Sequence, residues 1–388
     1  MSEHRVLVLG AGYAGMTAAL RLARRTRRAD VRVTLVNPVT RFTERVRLHQ
    51  TATGQDLADL QIPEMLHGSG VEFVQGWVTG VDAAAGAVAL DGGRVLAYDR
   101  LVYALGGVTD TQSVPGVAEH AYTFDDASCA VRLAEHLAAP AAGSVVVVGA
   151  GLTGVESAAE IAESYPDVRV VLVGGQGPGA MMGAKARSYV EAALERLGVA
   201  VRVGAEVTKV LPAAVELAGG EVLDADAVLW TCGVRASTVA GEAGMAVDER
   251  GRIVTDAYLR SVSHTNVYAV GDAAVIEQNW GTMHGTCGAA VPSAIHAADS
   301  IARELRGGKP RPFRYGYVHQ PVSLGRHDAV IQFTRPDERP RRAVLTGRRA
   351  VTYKEAFCAL PLPGFKFISR YGGPIPLPRG GSATRGLG

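Results

Sequence analysis

Cysteine is scarce in this 388-residue chain: Cys129, Cys232, Cys287 and Cys358 lie far apart, in no C-x-x-C or metal-ligand spacing. A disulfide framework and a zinc ribbon are thereby excluded, and all four thiols are expected to be buried. No apolar run approaches the roughly 20 residues that a membrane span needs. Met1-Ser-Glu-His-Arg5 leads straight into an apolar strand, without the charged region, apolar stretch and cleavage site of a secretory signal. A cytoplasmic location is expected. Net charge is also small, +2, so the general basicity of a nucleic-acid binder is missing and no nucleic-acid partner is expected. The balance conceals an asymmetry: from Ile301 onward 17 Lys and Arg stand against five Asp and Glu, leaving the preceding part net acidic.

What the chain has in abundance is hydrophobic residues, at 47%, and glycine, at 47 residues. Its length exceeds what one hydrophobic core usually serves, so two or three domains are expected. Val6-Leu-Val-Leu-Gly10-Ala-Gly12-Tyr13-Ala14-Gly15 is an apolar run that breaks into G-x-G-x-x-G. In that pattern Gly10 makes a tight turn, Gly12 lets the backbone approach a pyrophosphate, and Gly15 lets the following helix pack closely on the strand. A helix is expected over Met16 to Arg25 and a second strand over Val31 to Val36. At the end of that strand, where a dinucleotide-binding fold usually places an acid on the adenosine ribose, stand Asn37 and Pro38. An amide oxygen still accepts one hydroxyl proton.

The same design recurs. Val145-Val-Val-Val-Gly149-Ala-Gly151-Leu152-Thr153-Gly154 repeats strand and fingerprint, Val155 to Ala162 supplies a helix, and Val168 to Val173 a second strand. Gly70 to Gly76 corresponds to Gly198 to Gly204. Hairpins with Gly92-Gly93 and Gly219-Gly220 turns follow, and then an Asp and a hydrophobic strand ending in glycine: Asp99 to Gly106, through Ala104, and Asp226 to Gly233. A nucleotide-binding domain has been duplicated. The fingerprints lie 139 residues apart and the closing glycines 127, so the first copy carries 12 extra residues. Most fall in the segment from Pro38 to Gly54, which contains Arg41, Arg47 and His49. Its place at the carboxyl edge of the sheet makes it the candidate lining of an active site. A last strand, Asn266 to Val270, ends in Gly271-Asp272, and a helix is expected from about Pro292 to Leu305, with Val291 just before it.

Taken together, the two spaced fingerprints, the two closing-glycine strands and Val267-Tyr-Ala-Val-Gly-Asp-Ala-Ala274 resemble the pyridine nucleotide-disulfide oxidoreductase family. Gly149-Ala-Gly-Leu-Thr-Gly-Val-Glu156 with Leu229-Trp-Thr-Cys-Gly233 is most similar to its type II NADH dehydrogenase and apoptosis-inducing-factor branch. The resemblance implies an α/β fold of two Rossmann-like domains, the NAD(P) domain inserted in the FAD domain, with a smaller C-terminal α+β domain. Residues 1–112 and 262–310 would form the FAD domain, 113–261 the NAD(P)H domain and 311–388 the third. Gly10, Gly12, Tyr13, Ala14 and Gly15 would cradle the FAD pyrophosphate, Asn37 with Pro38 the ribose, and Val78 the adenine. Ala104, Gly106, Gly271, Asp272, Val291 and Pro292 would complete that site, Asp272 accepting a ribityl hydroxyl and the helix dipole facing the flavin. Gly149, Gly151, Leu152, Thr153, Gly154, Gly174 and Gly233 would hold NADH or NADPH, with Glu156 near its carboxamide.

The chain departs from the family in three respects. It has no C-x-x-x-x-C pair, so dithiol chemistry is not expected. Gly174 replaces the acid that selects NADH, with only Lys185 and Arg187 as basic residues nearby, which leaves NADH and NADPH both open. Val291-Pro-Ser-Ala-Ile-His296 lacks the glutamines with which type II enzymes bind quinone. The expected activity is hydride transfer from NAD(P)H to flavin and onward to a small organic acceptor, quinone-like or a metabolite. Arg41, Arg47, His49, Glu156 and His284 are the candidates to orient or protonate that acceptor. The alternative is a nucleotide-responsive electron-relay or regulatory flavoprotein acting through protein association. The basic C-terminal domain is expected to form an interface in a homodimer, or to attract an acidic protein or an anionic membrane surface through Phe365, Lys366, Phe367 and Arg370. Leu360 to Phe367 and Pro374 to Pro378 are expected to be non-helical because of their prolines.

Overall fold

The computed structural model describes residues 3–140, 143–285, 287–373, 375 and 377–384. The first unit opens with β1 (His4–Leu9), α1 (Tyr13–Thr26), β2 (Val31–Asn37), β3 (Val71–Gln75) and β4 (Arg100–Tyr103). After α2 (Ala127–Leu137), the second runs β5 (Ser144–Val148), α3 (Leu152–Ser164), β6 (Arg169–Gly174), α4 (Ala184–Arg196), β7 (Ala200–Val203) and β8 (Ala227–Trp230). The chain then returns through β9 (Val267–Ala269) and α5 (Cys287–Glu304). It finishes with β10 (His319–Ser323), β11 (Ala329–Thr334), β12 (Pro340–Thr346), α6 (Gly347–Ala359) and α7 (Pro361–Tyr371).

The first sheet has the order β9-β4-β1-β2-β3, and every pairing is parallel. The second has the order β7-β6-β5-β8, with Ala121–Tyr122 added beside β8, also parallel throughout. Parallel strands are covered on both faces, which is why Val6 to Leu9 and all five residues of β5 are buried apolar runs rather than alternating ones. Each fingerprint strand is central, flanked by its own second strand on one side and its closing strand on the other. The fifth strand of each sheet comes from outside the repeat. A three-stranded antiparallel hairpin sheet follows β3 and β7 in turn, and the Gly92-Gly93 and Gly219-Gly220 turns all have positive φ.

Both helices that follow the fingerprints begin three residues earlier than the apolar periodicity suggested, at Tyr13 and Leu152, because the glycine turn itself supplies the first helical amides. Helix α1 is buried almost all round between the first sheet, α5 and α7, and its Arg21 is 1% exposed. Val239, Ala240, Met245, Ile253 and Leu259, expected in the second unit, pack in the core of the first, so the chain returns there well before residue 262.

Two further expectations are corrected. Pro292 lies inside α5 rather than in its first turn, the helix starting at Cys287. Residues from Pro361 onward form α7: Pro361 and Pro363 fall in the first turn, where backbone N–H groups have no intrahelical acceptor to lose. Pro374 and Pro376 lie outside the described residues. The C-terminal segment reaches both cores, with Val322, Leu324 and Val330 in the second and Phe365 and Ile368 in the first.

Candidate functional site

The two glycine turns are built alike. Gly10 has φ +90° and Gly149 φ +113°, so both need glycine's freedom, and a Cβ on Gly10 would sit 2.5 Å from the Ala104 carbonyl oxygen. A Cβ on Gly15 would fall 1.7 Å from the Gly10 oxygen, and one on Gly154 at the same 1.7 Å from the Gly149 oxygen. By contrast, a Cβ at Gly12 or Gly151 would meet nothing within 4 Å. The outer glycines are therefore filled by the protein itself, and each middle one opens a cradle at a helix N-terminus whose amides face outward. Tyr13 and Ala14, and Leu152 and Thr153, form the first turns over those cradles.

Around the first cradle the expected residues converge. Asn37 Oδ1 accepts from the Ala11 N–H at 2.9 Å while its Nδ2 donates to the Val39 carbonyl at 2.8 Å, which locks the amide beside Pro38 against the glycine turn. The oxygen keeps a second lone pair for a hydroxyl. Val78 is buried at the start of the first hairpin strand, and Gly106 and Gly271 both take positive φ. The Gly271 N–H donates to Ser293 Oγ at 3.1 Å, tying the end of β9 to α5 one residue beyond Val291 and Pro292. Asp272 follows, and its Oδ1 is buried with no donor. Burial raises the pKa of this carboxyl, partly opposed by the charges of Arg45 and Arg252. A buried carboxylate oxygen without a donor is costly unless a ligand hydroxyl completes it, so the residues present fit FAD.

In the second cradle, a Cβ on Gly174 would lie 2.6 Å from Ala150 Cβ and 3.0 Å from its nitrogen. Glycine is there because the fingerprint turn already occupies the space. Lys185 and Arg187 stand on α4, where Arg187 Nη2 donates to the Ala180 carbonyl at 2.7 Å. The two closing glycines, Gly106 and Gly233, each open onto one strand of an antiparallel ribbon, Gly107–Thr109 with Val234–Ala236, that joins the two units. Arg45 from the inserted segment braces this junction, donating to the Gly107 carbonyl at 2.6 Å and pairing with Asp125 at 3.4 Å.

Three of the five candidate polar residues meet in one buried cluster, with partners the sequence did not single out. Glu156, on α3 two residues after Gly154, is ion-paired with Lys354 of α6 and accepts from the Ser323 N–H at 2.9 Å. Lys354 Nζ also donates to Ser323 Oγ at 2.8 Å. Burial alone would raise the Glu156 pKa, but Lys354, His49 and the Ser323 N–H together outweigh it and hold the carboxyl below its usual range. His49 is fully buried within electrostatic reach of both, its Nε2 without a partner, and burial pushes it down to about 3. Arg47 pairs with Glu355 at 2.8 Å, Glu355 with Arg326 at 3.4 Å, and Arg326 with the fully buried Glu160 at 3.0 Å. The ion-pair chain links inserted segment, nucleotide-domain helix and C-terminal helix.

The other two candidates lie apart from that cluster. Arg41 is about half exposed and pairs with Asp59 at 3.2 Å. His284 pairs with Glu338 at 2.8 Å, which raises its pKa. Nor are the described thiols fully buried as expected: Cys129, Cys232 and Cys358 are intermediate, and the Cys287 side chain lies outside the described residues. Among the described residues there is no metal-ligand cluster and no helix long and apolar enough to cross a membrane.

Two parallel sheets with paired cradles, and a buried acid returning to the first from beyond the second, define a flavoprotein oxidoreductase with two dinucleotide-binding domains. The family model of the pyridine nucleotide-disulphide oxidoreductases matches residues 4–298. The chain belongs to that family, and it is an NAD(P)H-dependent flavoprotein oxidoreductase. It is 34% identical over 380 residues to an NADH dehydrogenase-like protein of Mycobacterium tuberculosis, covering 91% of this chain and 92% of the relative. To a type II NADH:quinone oxidoreductase of Staphylococcus epidermidis it is 29% identical, covering 84% and 89%. NDH2 from Plasmodium falciparum in complex with NADH shares the fold at a TM-score of 0.79 and 16% identity, over 96% of this chain and 99% of that one. The sulfide:quinone oxidoreductase of Aquifex aeolicus does so at 0.79 and 20%, over 95% and 92%.

Proposed function

We propose that this protein oxidises NADH or NADPH with bound FAD and passes the electrons to a small quinone-like acceptor. The observation that carries this reading is Asp272, a buried carboxylate with an unpaired oxygen, directly after Gly271, where a Cβ would lie 3.3 Å from Ala14 Cβ of the first glycine turn. Bound FAD supplies hydride acceptance from the nicotinamide and onward electron transfer. The chain's own residues then have three tasks. The first cradle, Asn37 and Asp272 hold the flavin nucleotide. The second cradle holds the nicotinamide nucleotide, and Gly174, which leaves no room for a carboxylate, neither grips a ribose diol nor repels a 2′-phosphate. The Lys354 ammonium, paired with the ionised Glu156 beside neutral His49, holds a proton close to the second cradle, and a quinone takes up two protons with its two electrons. The relatives named for NADH and for quinone support this class of reaction. With no C-x-x-x-x-C pair in the chain, the electrons bypass a dithiol. The basic C-terminal segment forms the contact between two copies.

Anaerobic stopped-flow reduction by NADH and NADPH, followed by turnover on a soluble quinone and on ferricyanide, tests the reading. Rapid bleaching by both nucleotides and quinone turnover are expected. Lys354→Met should slow quinone reduction far more than reduction of ferricyanide, which takes up no proton. Slow bleaching accompanied by a change of oligomeric state would instead favour a nucleotide-responsive electron relay.

A further inference from the structure

The end of α1 remote from the cofactor cradle carries a second concentration of anion-binding groups that the flavin chemistry does not use. Arg24, Arg25, Arg27 and Arg28 gather there with Arg306, from just beyond α5, and with Tyr371 and Gly372 at the end of α7. Together they line a cavity of about 230 Å³. A neighbouring cavity of about 180 Å³ shares Arg25 and Arg306 and adds Arg303 and Asp299.

Charge in this corner is poorly compensated. Asp299 is divided between Arg21 at 2.7 Å and Arg25 at 3.0 Å. Among the described residues, Arg24, Arg27, Arg28, Arg303 and Arg306 have no carboxylate partner. Basic residues at a helix C-terminus serve the macrodipole, but that task is already met, since Arg306 Nη2 donates to the Arg25 carbonyl oxygen. Two details mark a built site rather than a solvated face. Arg24 Nε is buried and has no acceptor, so a donor in the cavity wall is left unsatisfied. Gly372, with φ +58°, closes α7 where a Cβ would lie 2.4 Å from Arg24 Cγ, so the bare helix end admits the arginine stem.

We propose that this cavity binds a multiply charged phosphate group, of the diphosphate or phosphomonoester kind, carried by a free small molecule or by a lipid headgroup. Guanidinium forks match phosphate oxygens bidentately, and several converge here from the ends of α1 and α5, with Tyr371 and Gly372 of α7 closing the cavity. The site is distinct from the flavin cradle: the 14 residues of α1 separate them by roughly 20 Å at a helical rise of about 1.5 Å per residue. A ligand here bridges the ends of α1, α5 and α7, and so fastens the C-terminal helix to the cofactor domain.

The test is calorimetric titration of the FAD-loaded protein with inorganic pyrophosphate at fixed ionic strength, beside flotation with phosphatidylcholine vesicles with and without phosphatidic acid. R27Q/R28Q removes two exposed forks of the cavity, and R348Q/R349Q removes equal charge from α6 as a control. Saturable pyrophosphate binding is expected, weakened about tenfold or more in R27Q/R28Q and within about twofold of the parent in the control. Flotation that needs phosphatidic acid, is lost in R27Q/R28Q and is displaced by pyrophosphate supports the same site with lipid as the source. Equal losses in both double variants, or no saturable binding in either arm, overturn the proposal. Flavin absorbance of each variant verifies that the fold is intact.

Discussion

Lys354 reaches Glu156 across 198 residues of chain, and the pair shows what residue-level reading can and cannot reach. Glu156 was legible because it stands at a fixed offset from the second fingerprint. Its partner was not, since a lysine on a C-terminal helix has no pattern that names the carboxylate it will meet. Removing the cation from a buried pair strands the other charge. Lys354→Met is expected to lower unfolding stability by on the order of 3 kcal/mol, with part restored by adding Glu156→Gln; urea denaturation measures both. His49 gives the pH counterpart. Its folded pKa is about 3 against 6.5 for a free histidine, so the unfolded chain binds the extra proton between those values. The stability tied to neutral His49 is full above pH 6.5 and is lost as pH falls toward 3. The acid side of the urea midpoint–pH curve should be flatter in His49→Gln than in the parent, and an unchanged slope would contradict the burial of this ring.

At the scale of elements, the strands and fingerprint helices followed from apolar runs and glycine spacing. The C-terminal helices did not. The prolines from Pro361 onward suggest a broken helix, yet Pro361 and Pro363 occupy the one turn of α7 that tolerates them. The pull comes from the other face of that helix, where Phe365 packs edge-on against Phe42 with centroids 5.7 Å apart, and Phe42 in turn against Tyr13 at 5.2 Å. The aromatic chain connects α7 to the first turn over the flavin cradle. Phe365→Ala is expected to cost about 3 kcal/mol, as truncation of a buried aromatic does. Limited proteolysis should then cut α7 first, with faster loss of bound flavin.

The whole molecule joins three segments, not two repeats and an appendage. The C-terminal strands complete the second core while α7 completes the first, and the ion-pair chain from Glu160 to Arg47 crosses between them. Truncation after residue 310 should therefore expose apolar surface of both units and yield an insoluble or flavin-poor product, read from soluble yield and absorbance. A soluble, fully loaded truncation would show the segment to be dispensable.

The sequence by itself determined the duplicated nucleotide-binding design and the place of its glycines, because tight turns and close backbone approaches admit few residues. It also excluded a C-x-x-x-x-C dithiol, while Asp272 stood out only through the resemblance carried by the strand that precedes it. Only tertiary structure decided which charges meet. The Lys354–Glu156–His49 cluster, the unshared arginines at the end of α1 and the helix built from a proline-rich stretch depend on segments far apart in the chain. Their energies arise from burial and from partners brought close, and neither is written in local spacing.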